Sequence, residues 1–289
     1  VNAEPLRLAA VSAHERILDD APQDLRAELL DMTGQAFRRI NRFIELAVYG
    51  ALRCGREAGG VGDDTALYLA SEAPMLADCV RALRGVIAEA RPPTPFEFMN
   101  ISGNMAGFYI AQHLRMRGPQ LAVHRNSASL ECALELLQLQ SARHRRALLG
   151  YVEEGVWPLA EQRLRLGLPA TAELSESSHW FYLDADCAAP LGLIDPIERC
   201  STLEQAQRAL ADAPAQWRVA IGHRCSRADI DALRAVRRDA QALDADATYS
   251  TATTAARLIG FLLLDSAPGL LQVNHSGDGG YYLLRVRRA

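Results

Sequence analysis

The chain has 289 residues, 49% of them apolar, enough to bury a substantial core as one large domain or two fused halves. Its formal net charge of −4 gives no general attraction for nucleic acid, and all 31 basic residues are arginine, which excludes Schiff-base, P-loop and Ser-Lys chemistry. The six cysteines and seven histidines are scattered without the spacing of a metal site, so no metal is expected.

The longest apolar stretch, Leu258 to Leu264, is far too short to span a bilayer, and the N-terminus lacks a signal-peptide pattern. A soluble, cytoplasmic chain with no membrane contact is expected. Ala36 to Arg53 places Ile40, Phe43, Ile44, Ala47, Val48, Ala51 and Leu52 at helical spacing, which predicts an amphipathic helix. Thr65 to Ser71 alternates and reads as a strand, and Met75 to Glu89 is a second helix closed by Pro92-Pro93.

The segment from Pro95 to Pro119 reads as helical, with Met105, Phe108 and Tyr109 on one face and Gly118-Pro119 as its stop. A short strand, Gln120 to Arg125, leads into a helix predicted over Ala128 to Arg145, where Arg143, Arg145 and Arg146 suit the negative helix end. ALLGYVEEG is a buried strand whose Glu153 and Glu154 read as solvated charges at its end. A short helix at WPLAEQRLRLG and a strand at SHWFYLDA complete the first half. The second half predicts helices near Thr202–Ala211, Arg227–Gln241 and Thr253–Leu264, a strand at WRVAIG, and a final hairpin turning through SGDGG. His275, Ser276 and Asp278 supply a triad by residue type, but neighbours in a tight turn point apart.

Taken in order, RRINRFIELA, PFEFMNISGNMAGFYIAQHL, MRGPQLAVHRNSASLECALELLQ, ALLGYVEE, WPLAEQRLRLG and SESSHWFYL resemble successive blocks of the N-terminal half of a β-ketoacyl synthase, over about residues 37 to 183. The resemblance is closest to the short ketosynthase-like chain-length-factor subunits of aryl polyene and xanthomonadin-type pathways. It implies an α/β, thiolase-like αβαβα layered fold of two pseudo-repeated halves, the second shortened. On that division residues 1–185 form the ketosynthase-like half and 186–289 a degenerate C-terminal half.

Active members carry a cysteine at the turn after the short strand, where a helix N-terminus favours the thiolate. Ser127 falls on that position. Cys132, five residues on, is rotated by roughly 140° along a helix and is expected only to pack. Of the two histidines the family uses, Thr251 stands where one belongs and His223 is the candidate for the other. Asn126 would reach the nucleophile pocket if the register moved by one. A serine hydroxyl needs an adjacent base to attack, so Ser127 is either a packed or helix-capping residue or the nucleophile of an acyltransferase.

The resemblance implies a catalytically inactive subunit that pairs with an active ketosynthase, or with itself, across Gln120 to Arg125, and bounds an acyl tunnel. Met99, Met105, Phe108, Tyr109 and Asn126 are its tunnel candidates. No cofactor of its own is implied, since phosphopantetheine would arrive on a partner acyl carrier protein. The alternatives are an active condensing or acyltransfer enzyme using Ser127, and a relict homodimeric acyl-binding protein.

Overall fold

The computed structural model describes residues 4–19, 23–126, 128–242, 249 and 252–289. The first elements are β1 (Leu6–Ile17), α1 (Arg26–Thr33), α2 (Arg42–Glu57), β2 (Ala66–Ala70), α3 (Leu76–Glu89), α4 (Pro95–Asn100), α5 (Asn104–Leu114), β3 (Gln120–Val123), α6 (Ser129–Gln140), β4 (Arg146–Glu153), α7 (Leu159–Leu166) and β5 (Ser175–Asp184). Then come β6 (Gly192–Ile194), β7 (Glu198–Cys200), α8 (Leu203–Ala211), β8 (Arg218–Ile221), α9 (Arg227–Val236), α10 (Thr253–Leu264), β9 (Gly269–His275) and β10 (Tyr281–Arg288). Among the described residues no helix is long and apolar enough to cross a membrane.

The strands lie in the order β3-β2-β4-β5-β1-β6-β10-β9-β8, with β7 against β10. β2 runs parallel to β3 and β4, whereas β4–β5 and β5–β1 are antiparallel. The other end repeats these senses: β8 is parallel to β9, and β9–β10 and β10–β6 are antiparallel. α6 leads into β4 as α10 leads into β9. This repeat lives in topology, not in residue identity. β1 joins the two ends, pairing β6 through Leu6–Leu8 and β5 from Leu8 onward, with an irregularity between Leu8 and Ala10.

Strand alternation assigns the layers. Leu67, Leu69, Leu148, Trp180 and Tyr182 pack outward against α2 and α5. Tyr68, Leu149, Tyr151 and Phe181 point inward and share a core with Leu134 of α6, Leu258 and Phe261 of α10, and Tyr282 and Leu284 of β10. Val219, Leu271, Val273 and Leu283 face the opposite way, against Leu210 of α8 and Leu233 of α9. The result is helix, sheet, helix, sheet, helix, with α6 and α10 in the middle. Trp180 fixes the first interface: a Cβ on Gly50 would lie 2.4 Å from its Cδ1, and one on Gly150 would lie 2.5 Å from its ring, so neither position admits a larger residue without movement. Its indole donates to Ser178 Oγ, which donates to the Leu46 carbonyl.

Several boundaries differ from the sequence expectation. α2 starts at Arg42, because Asn41 is extended and its side chain accepts from the Ile44 amide at 2.9 Å. The helical segment before β3 is two helices separated by Ile101–Gly103, and α5 ends at a left-handed Arg115 before Gly118-Pro119. α6 stops at Gln140, so Arg146 opens β4 and pairs with Asp184 and Asp64, while Arg145 pairs with Asp186. These arginines cross-link strands and loops instead of capping a helix. α9 ends at Val236, where Arg237 turns extended and donates to the carbonyls of Ala213, Pro214, Ala215 and Trp217. Glu153 and Glu154 are buried, not solvated, because the end of β4 lies beneath the start of α3. β1, the longest strand, was not anticipated.

Candidate functional site

The carboxyl ends of β2, β4, β8 and β9 converge on the first turns of α6 and α10, the usual place for a site in open α/β sheets. The turn into α6 is held from beneath. Ser129 is fully buried; its hydroxyl accepts from the Arg125 amide and lies within 2.8 Å of the Ser71 and Asn126 carbonyls. Asn126 is exposed and left-handed, at φ 47°. Ser127 and Thr251 lie outside the described residues. Arg125 pairs at 3.2 Å with Asp278, which brings the β9–β10 turn against the turn into α6.

The second half meets this turn through Glu72, just past β2. Glu72 pairs with Arg224 and lies 3.8 Å from His223 Nε2, too far for a hydrogen bond, while its amide donates to Glu153. His223 sits edge-on to Tyr249 at 6.0 Å. Burial, with Arg257 nearby, lowers its pKa to about 4, so the imidazole is neutral at neutral pH. A cavity of about 20 Å³, room for a single water, is lined by Glu72, Glu153, Glu154, Ser175 and Tyr249.

Four buried side chains link α6 to α10. The Asn274 amide donates to Glu131, and the Gln272 amide lies 3.4 Å from Asn274 Oδ1 and 3.1 Å from Thr254 Oγ1. Glu131 is completely buried, and burial pushes its pKa up to about 7. Backbone must approach closely here: a Cβ on Gly222, next to His223, would fall 1.8 Å from Asn274 Oδ1.

Cys132 lies inside α6, 3.4 Å from the Tyr282 hydroxyl, and burial raises its pKa, which keeps it a thiol. His124 lies past β3, where a Cβ on Gly103 would come within 3.3 Å of its Nε2. His275, Ser276 and Asp278 form a turn: Ser276 bonds Asp278, and His275 Nδ1 accepts from the Gly277 amide. Among the described residues, no cluster of His, Cys, Asp or Glu could hold a metal. Met99 and Phe108 are exposed, and Met105 and Tyr109 are partly buried against the outer helices.

No family model and no curated protein matches the chain. Solved structures do. The ishigamide ketosynthase/chain length factor superposes with a TM-score of 0.74 at 18% identity, covering 99% of each chain. The fold is that of the ketosynthases. A β-ketoacyl synthase from Burkholderia phymatum matches at 0.69 and 13% identity, over 99% of this chain and 100% of that one. A ketosynthase in complex with its chain length factor from Xenorhabdus doucetiae matches at 0.53 and 11%, over 98% and 99%. The short strand before Ser127 is β3, and Cys132 is inside the helix that follows. The Glu131–Asn274–Gln272–Thr254 chain was not singled out from sequence, since its members lie more than a hundred residues apart except within the second half. A glutamate among apolar residues in ECALELL was the available signal.

Proposed function

We propose that the chain is a non-catalytic, chain-length-factor-type subunit that pairs with a cysteine-bearing ketosynthase in the cytoplasm and bounds the tunnel for a growing acyl or polyene chain. The observation that carries this reading is an open sheet edge beside a turn without cysteine. β3 ends the strand order, with Leu121 40% exposed, and α5, which packs against it, carries the exposed Phe108. An apolar edge of this kind is a template for strand pairing with another chain. Met99 and Phe108 would reach the partner's side of the tunnel, with Met105 and Tyr109 behind them. The acyl group would arrive on the phosphopantetheine of an acyl carrier protein, and residues 1–185 and 186–289 would act as the two halves of one domain.

Co-expression with an untagged ketosynthase tests the pairing. A one-to-one complex is expected, lost on Leu121→Arg, and polyene synthesis by the pair is expected to survive Ser127→Ala. A stable homodimer that ignores the ketosynthase would overturn the heterodimer, and acyl transfer by the isolated chain that Ser127→Ala abolishes would overturn the non-catalytic role.

A further inference from the structure

A cavity of about 280 Å³ opens between α10 and β8. Its walls are mostly apolar: Val219, Ala220, Phe261, Leu264 and Leu270, with Gln241 and Arg257 as polar groups and the Arg218–Asp265 pair at 2.9 Å closing charge at the rim. Three features set it apart. First, Arg257 is half-buried and pairs with no carboxylate among the described residues; its one hydrogen bond, 2.6 Å, goes to the neutral Ile221 carbonyl. Burial lowers its pKa. Arg42 and Arg287, by contrast, pair with Glu176 and Asp195. A cation held out of bulk water without an anion is costly.

Second, Arg257 is among the residues that line the space, and its guanidinium keeps N–H donors beyond the one given to Ile221, which suit a planar oxyanion in the paired geometry that arginine favours. Third, Gly260, one helical turn minus one residue beyond Arg257, lines the same space, and a Cβ built on it would meet nothing within 4 Å. Glycine inside a helix weakens it relative to alanine, and here its absent side chain leaves the cavity free.

We infer that this cavity is a binding site for a short-chain aliphatic carboxylate, the carboxylate on Arg257 and the tail along Gly260, Phe261, Leu264 and Leu270. Apolar walls with Arg257 as their one cation not paired to an acid among the described residues favour such an amphipathic monoanion over inorganic phosphate, and the volume, just below the roughly 300–1,000 Å³ of ordinary ligand pockets, limits the tail. The site does not depend on the pairing proposed above.

Calorimetric titration of the full chain with sodium hexanoate, 1-hexanol and inorganic phosphate tests it. Hexanoate is expected to bind one to one, with hexanol and phosphate each at least tenfold weaker. Arg257→Met is expected to weaken hexanoate at least tenfold. Gly260→Leu, which fills the cavity and leaves Arg257 in place, is expected to abolish binding without lowering the melting temperature, and it decides the matter if Arg257→Met does not fold. No hexanoate binding by the wild type, unchanged binding in either folded variant, or phosphate binding as tightly as hexanoate would overturn the assignment.

Discussion

Replacing Glu131 by glutamine changes one proton's binding and almost nothing of shape. An unfolded glutamate ionises near 4.5, whereas burial in α6 holds the Glu131 proton to about 7. Between those values the folded state binds one proton more than the unfolded state. The group's share of stability is therefore fully present below 4.5 and is lost as pH rises through 7. The gap corresponds to roughly 3 kcal/mol. Glutamine cannot ionise, and its carbonyl oxygen can still accept from Asn274, so the variant escapes this loss. His179 and His223, both lowered to about 4 by burial, act in the opposite sense, losing stability as pH falls below 6.5, but they are common to both proteins. Urea unfolding of wild type and Glu131→Gln across this range isolates the carboxyl. The difference in unfolding free energy should be flat in acid and move by roughly 3 kcal/mol in favour of the variant by about pH 8. A difference that does not change with pH would mean that Glu131 is ionised in the folded chain, and the reasoning would fail.

Gly222→Ala would push a methyl group into the Asn274 amide and is expected to cost about 1–3 kcal/mol in denaturant melts. Added to Glu131→Gln, it should act less than additively, because both touch Asn274; full additivity would show that the two positions are not coupled. Arg42→Met would strand the fully buried Glu176, which Arg42 pairs in the wild type, and should cost about 3–5 kcal/mol at neutral pH; a loss below about 1 kcal/mol would show that Glu176 takes up a proton or another partner at little cost.

Local pattern made some elements legible to the residue and others only in outline. Thr253–Leu264 is helical as its apolar repeat requires, and the hairpin turns at SGDGG. Helical spacing alone starts α2 too early, because Ala36 and Phe37 extend its apolar stripe, and only the Asn41 cap marks the true start. β1 carries a buried Ser12 and a half-buried His14, so polarity hid a strand whose place is set by pairing with β5 and β6. Glu153 and Glu154 looked solvated for a similar reason: nothing near them in sequence announces the amides of Glu72 and Ala77 that they accept. The order of blocks did locate the turn into α6. It could not reveal what surrounds that turn, since Asn274, Gly222 and His223 arrive by tertiary folding from the other half.

Those surroundings bear on how a ketosynthase-like chain could serve as a partner. Condensation in the family depends on a thiolate at a helix head and histidines poised near it. Here three of the groups that fold against the helix head are held neutral by burial: Cys132 as a thiol, His223 as neutral imidazole and Glu131 as a carboxylic acid over most of the range below neutrality. Each is also committed to packing or to a neighbour, Cys132 to Tyr282 and Glu131 to Asn274. Neutral groups packed in this way favour rigidity over proton transfer. Rigidity at the centre is what a subunit needs if, as proposed, its contribution is a fixed wall and a fixed edge strand.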